Sequence, residues 1–177
     1  LVQSNGMAQW LKLQLADALG ISAGFQFQMP ARFLWSAYRT VLGETQVPRT
    51  SPFDKSRLLW RLYRLLPTLL HNEHFGPLRH FLADDVDGRK SHQLAERLAD
   101  LFDAYQVYRA DWLADWESGN DRLRKAQDRD AFDDFPTNQL WQAHLWRALL
   151  ADMDDSKQGL SRSAIHRDFM AALTQQA

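Results

Sequence analysis

Near the start of the chain, Gln3, Ser4, Asn5 and Gln9 gather amide and hydroxyl groups within one short stretch, Leu1-Val2-Gln3-Ser4-Asn5-Gly6-Met7-Ala8-Gln9-Trp10-Leu11. These groups both donate and accept hydrogen bonds, so the stretch can read the edges of a ligand. No Lys follows Gly6, and no G-x-x-x-x-G-K-[ST] phosphate loop occurs in the chain, so triphosphate binding and ATP hydrolysis have no physical basis here.

Other groups invite chemistry and have plainer readings beside it. Asp100 and Asp103 form a carboxylate pair on a predicted helix, where such pairs are ordinarily a solvated face. His71 and His74 miss the H-E-x-x-H spacing of a zinc helix and read as surface histidines. Asp84-Asp85-Val86-Asp87-Gly88 resembles a calcium loop, but aligning Gly88 on the sixth position puts Ala83 first and Leu94 twelfth, so it reads as an acidic turn. There is no G-x-S-x-G elbow and no nucleophile with a base and orienter. Arg57, Arg61 and Arg64 line up at helical spacing and either meet phosphates or form a solvated face. Trp35, just past Pro30, either stacks on a base, worth about 1–3 kcal/mol, or packs in the core.

The elements that must position these groups follow from composition and periodicity. With 177 residues, 45% of them hydrophobic, the chain can bury about 70% of its unfolded surface in one core. It has no cysteine, hence no disulfide framework, and a reducing cytoplasmic setting fits. No apolar run approaches the ~18 residues that a membrane span needs. The chain opens inside an apolar segment without Met and reads as a piece of a longer polypeptide. Residues 1–82 carry nine basic and four acidic side chains, residues 83–177 twelve and eighteen, so a basic front facing an anionic partner is expected.

The opening stretch has the pattern of a strand, a loop and a helix over 7–19, with Ser4 or Asn5 as N-cap and Gly20 as stop. Phe25-Gln26-Phe27-Gln28 alternates like a strand. Helices are predicted over 31–42, over 54–66 (bent or ended by Pro67), over 78–82 and over 89–109. Asp111 caps a short helix with Trp112, Leu113 and Trp116; residues 118–136 lack an apolar period and read as a mobile loop. Helix resumes over 137–153, and Ser161 or Ser163 caps a last one. Most of the seven tryptophans are expected in the core, with Trp60, Trp141 and Trp146 in apolar stripes.

Several blocks together resemble the RecC family, the gamma subunits of RecBCD-type exodeoxyribonuclease V. They are Val2 to Leu11, Pro30 to Trp35, Leu78-Arg79-His80 with Leu82 to Asp85, and Asp100-Leu101-Phe102-Asp103-Ala104-Tyr105 through Arg109 to Leu113. The resemblance covers the front of a longer subunit and implies a mainly α fold. That fold would be a helical bundle with a small parallel β remnant, from an inactive superfamily 1 helicase-like domain. Residues 1–50 would then be an incomplete α/β portion and 51–177 a helical subdomain.

The resemblance further implies a non-catalytic part that channels single-stranded DNA and helps recognise the Chi hotspot in double-strand break repair. A helical scaffold that holds the motor subunits without reading DNA is the contrasting expectation. The implied partners are RecB-like and RecD-like subunits and the unwound strand, with no membrane and a cytoplasmic location. No cofactor belongs to this segment; ATP and Mg would serve the partner subunits. Gln3, Asn5, Gln9, Met29 and Trp35 match one group of channel positions, Asp100, Leu101, Asp103 and Arg109 a second, and Arg162 a third. Asn5 departs from the hydroxyl residue the family pattern leads one to expect, and Ala110 from Pro. Carboxylates repel phosphates but accept from base amino groups, which single strands expose, so the set makes sense as base readout.

Overall fold

Leu58, Leu62 and Leu66 recur every fourth residue, which puts them on one side of a helix, and all three are buried. They meet Ala95, Leu98, Ala99 and Phe102 of the longest helix, and around this seam the rest of the core assembles. The computed structural model describes residues 1–126, 128, 130–153 and 160–176. Its helices are α1 (Asn5–Leu19), α2 (Pro30–Leu42), α3 (Lys55–Leu69), α4 (Gly76–Phe81), α5 (Arg89–Tyr108), α6 (Ala110–Glu117), α7 (Trp141–Ala151) and α8 (Arg162–Gln176). Short 3-10 turns, Glu73–Phe75 and Thr137–Gln139, lead into α4 and α7.

The main core joins α3, α5, α6 and α7, with Trp116 and Trp146 fully buried and Phe53 and Phe102 against the Trp146 ring at 5.4 and 5.3 Å. A smaller core of Tyr38, Val47 and Ile165 fastens α2 to α8, with Trp35 and Phe169 at its edge. α8 also lies against α5 and α6, so the two cores form one body. The Ser161 hydroxyl accepts from the Ala164 amide at 3.2 Å and caps α8, choosing between the two serines that the sequence offers. Ser161→Ala should lower the thermal stability by about 1 kcal/mol, as loss of a cap does; an unchanged melting curve would deny Ser161 that role.

Three expectations are corrected and one, at Pro67, is narrowed. Among the described residues the only sheet is antiparallel, β1 (Arg122–Arg124) paired with β2 (Phe132–Asp134), and no parallel remnant forms at the chain start. Residues 1–4 and 25–28 share a backbone bond, Val2 N to Gln28 O at 3.0 Å, but without a neighbouring strand no ladder develops. The 118–136 segment is no structureless loop: it carries this hairpin, held by ion pairs rather than by an apolar period. Pro67 sits inside α3, which continues to Leu69 with Leu70 N on Leu66 O at 3.2 Å. Trp60 is 64% exposed, because two helical steps from Leu58 turn it to the opposite face, where it meets Tyr63 and His92 edge-on.

The charge split in the sequence is bridged at two points. Arg61 and Arg64 converge on the Asp152 carboxylate at 2.9 and 2.5 Å, and Lys55 reaches Asp100 at 2.5 Å. The arginine row is therefore mainly a clamp between α3 and the end of α7, with Arg57 donating to the Thr50 hydroxyl. Arg64 is two-thirds exposed, so Arg64→Ala should cost less than about 1 kcal/mol in denaturant unfolding. A loss of 2 kcal/mol or more would make the clamp a principal fastening.

Candidate nucleic-acid interface

A cleft of about 580 Å³ opens where α2, the α5–α6 junction, the end of β1 and α8 meet. Trp35 enters it from α2, Arg109 from the helix junction and Arg162 from the first turn of α8, so three predicted site residues from distant parts of the chain line one cavity. Its size suits a ligand of small-molecule dimensions or one nucleotide of a strand.

Trp35 is fixed at both ends. Its indole Nε1 donates to the Pro48 carbonyl at 3.1 Å, and its ring meets Tyr38 edge-on at 6.1 Å. Tyr38 is buried and shares a hydrogen bond with His166 Nδ1 at 2.9 Å, and burial raises its phenol above the ordinary value against the opposing pull of Arg162. Arg109 breaks the helix between α5 and α6, and its guanidinium lies 3.7 Å above the Trp112 ring. It grips Asp111 by two bonds, at 3.1 and 2.9 Å, and also donates to the Arg124 carbonyl. Arg162 reaches Asp103 of α5 at 3.5 Å, and Lys125 also lines the cleft, paired with Asp133 at 3.0 Å.

Lys125 directly follows β1, and the hairpin is tied to α6 through a buried carboxylate. Asp115 takes bonds from Arg122 at 2.8 Å and from Arg124 at 2.6 and 2.9 Å. Burial pushes its carboxyl up, but the two arginines outweigh this and hold it below the ordinary carboxylate value. The indoles of Trp112 and Trp116 donate to the carbonyls of Arg124 and Arg122, completing the seam.

The remaining predicted residues are placed differently. Asp103 sits beside the cleft through Arg162, and Met29 directly precedes the lining residue Pro30. Asp100 faces Lys55 on α3, and Leu101 packs against the main core. Gln3, Asn5 and Gln9 are exposed on and before α1 and do not line the cleft. Ser4, not Asn5, caps α1, accepting from Met7 N at 3.2 Å. Gln106, Lys125 and His166 line the cleft and were not foreseen. For Gln106 a signal existed: it continues the buried line of Leu98 and Phe102, and an amide on such a face needs a reason to be there.

The acidic turn is structural as well: Asp85 accepts from the amides of Lys90 and Ser91 at 3.1 and 2.7 Å at the start of α5. Among the described residues no three His, Asp or Glu side chains converge as a metal site would require, and no helix is long and apolar enough to cross a membrane.

A family model for the RecC N-terminal domain matches residues 1–177. The chain is 42% identical over 184 residues to the RecBCD enzyme subunit RecC of Haemophilus influenzae, covering 98% of this chain and 16% of that protein. To the same subunit of Escherichia coli it is 47% identical over 152 residues, covering 85% and 12%. The Mycobacterium tuberculosis subunit is 26% identical over 162 residues, covering 85% and 14%. The chain thus spans between 12% and 16% of the length of these three relatives, and it belongs to the family of RecC N-terminal domains.

Proposed function

We propose that this domain binds and reads single-stranded DNA as the non-catalytic, helicase-like front of a RecC subunit in an exodeoxyribonuclease V complex. RecB-like and RecD-like subunits supply ATP- and Mg-dependent work there, the setting is cytoplasmic, and the domain contributes to Chi recognition during recombinational repair. The observation that carries the reading is the convergence of Trp35, Arg109 and Arg162 on one cleft. An indole face for a base and cations for phosphates are what a sequence-tolerant grip on a single strand requires. Asp103 beside Arg162 adds an acceptor for base amino groups.

The test is single-strand binding by the full-length subunit across a salt series. Affinity should fall with log salt at a slope of roughly −0.7 per phosphate contacted. Trp35→Ala should weaken binding about tenfold at every salt concentration, as loss of one stack does, whereas Lys125→Ala should flatten the slope by about 0.7. Salt-independent binding that ignores both substitutions would favour the scaffold reading. That reading draws on the apolar side chains left uncovered on α1, Met7, Trp10 and Leu13.

A further inference from the structure

Gln106 is 4% exposed and lies on α5 in the wall of the cleft. Its Nε2 donates to two backbone carbonyls, Phe53 O and Phe102 O, each at 3.3 Å. Those two acceptors fix which way the amide faces, because reversing it would set oxygen against oxygen. The other end of the amide, Oε1, is buried with no hydrogen-bond partner. A buried acceptor left unsatisfied is unfavourable, and in native structures it ordinarily has a reason.

Gln106 lines the cleft together with the exposed Val107 and Tyr108, which follow it in the chain, and with Trp35 of α2. We infer that Gln106 is a specificity-determining residue of this cleft: its Oε1 accepts a hydrogen bond from the exocyclic amino group of a base stacked on Trp35, and so favours amino-bearing bases. The inference rests on the single-strand reading of the cleft and adds a chemical preference to it. The oxygen has almost no surface of its own in the unliganded chain, so the entering base must displace part of the cleft wall. A carbonyl oxygen can only accept, which suits the amino hydrogens of cytosine, adenine or guanine. Thymine offers only a ring N–H flanked by two carbonyls.

Two oligonucleotides of equal length test this on the full-length subunit: one of dC, the other of the pyrimidin-2-one analogue, which keeps the ring and lacks the 4-amino group. The wild-type protein should bind the dC strand about five- to tenfold more tightly, the worth of one neutral hydrogen bond to an otherwise orphaned acceptor. Gln106→Met should bring the ratio to about one. Trp35→Ala should weaken both strands and reduce the preference less than Gln106→Met does. Equal wild-type affinities together with a normal Trp35→Ala loss would overturn the role of Gln106 and leave the cleft reading intact. Should Trp35→Ala weaken neither strand, the cleft reading itself fails and this inference with it. The wild-type comparison needs no substitution, so misfolding of a variant cannot mask the answer.

Discussion

Replacing Asp115 with alanine should lower the unfolding free energy of the chain by about 3 kcal/mol, the lower end for removing one partner of a buried ion pair. The carboxylate side chain is 7% exposed, whereas its partners Arg122 and Arg124 retain 31% and 27%, so water compensates them in part. What is lost is the link between α6 and the hairpin, since Asp115 is the anion on which both arginines of β1 close. Trp112 and Trp116 donate to the same strand, so tryptophan fluorescence during urea unfolding follows the event directly. A loss below 1 kcal/mol would mean that the two indole bonds and the ladder suffice to hold the hairpin.

The same carboxylate makes the fold acid-sensitive in a defined direction. Its folded value lies below the ordinary 3.8, so its contribution is complete above that pH and disappears as pH falls through the lowered value. Asp115→Asn should therefore unfold at lower denaturant near neutrality yet show a shallower loss of stability below pH 3.8 than the unmodified chain. Parallel acid profiles would place the titrating group elsewhere.

The largest functional effect is expected from Asp103→Ala in the assembled three-subunit enzyme. Unwinding of plain duplex should proceed normally, while the change in cutting that follows the hotspot should be lost. Asp103 is 37% exposed and meets Arg162 at 3.5 Å, a loose pairing that leaves carboxylate oxygens able to accept from a base. Removing it leaves the buried Leu98, Ala99 and Phe102 in place to pack α5. If unwinding collapses, Asp103 serves the architecture; if neither property changes, the assignment of Asp103 to readout is wrong.

Long amphipathic helices were legible in the sequence because a single apolar face decides them. α2 and α5 fall within a residue of their expected limits, and α3 differs chiefly in passing Pro67. The hairpin was not legible, since its strands are polar and its stability comes from Asp115, a residue of the preceding helix that no alternation of β1 or β2 would reveal. Trp60 misled for a related reason: periodicity counts an indole as apolar without telling which face of a helix will be covered.

The cleft was legible only in part. Trp35 was legible from its place just past Pro30, and Arg109 and Arg162 only through family resemblance, yet periodicity could not bring the three together, because their meeting depends on how α2 and α8 pack through Tyr38, Val47 and Ile165. For Gln106 the signal was an amide on a core stripe, which shows that partners are needed but not that they are the Phe53 and Phe102 carbonyls.

α1 buries none of its residues and carries Gln9, with Gln3 just before it and Asn5 in its first turn, whereas Trp35, Arg109 and Arg162 stand on elements joined to the cores. Local opening free energies rise with the contacts an element buries. In this chain the amides of α1 should therefore trade hydrogen for deuterium through openings that leave α3 and α5 protected. Ligands that reach both groups of residues would then slow exchange most at the chain's beginning, making α1 the more sensitive reporter of occupancy.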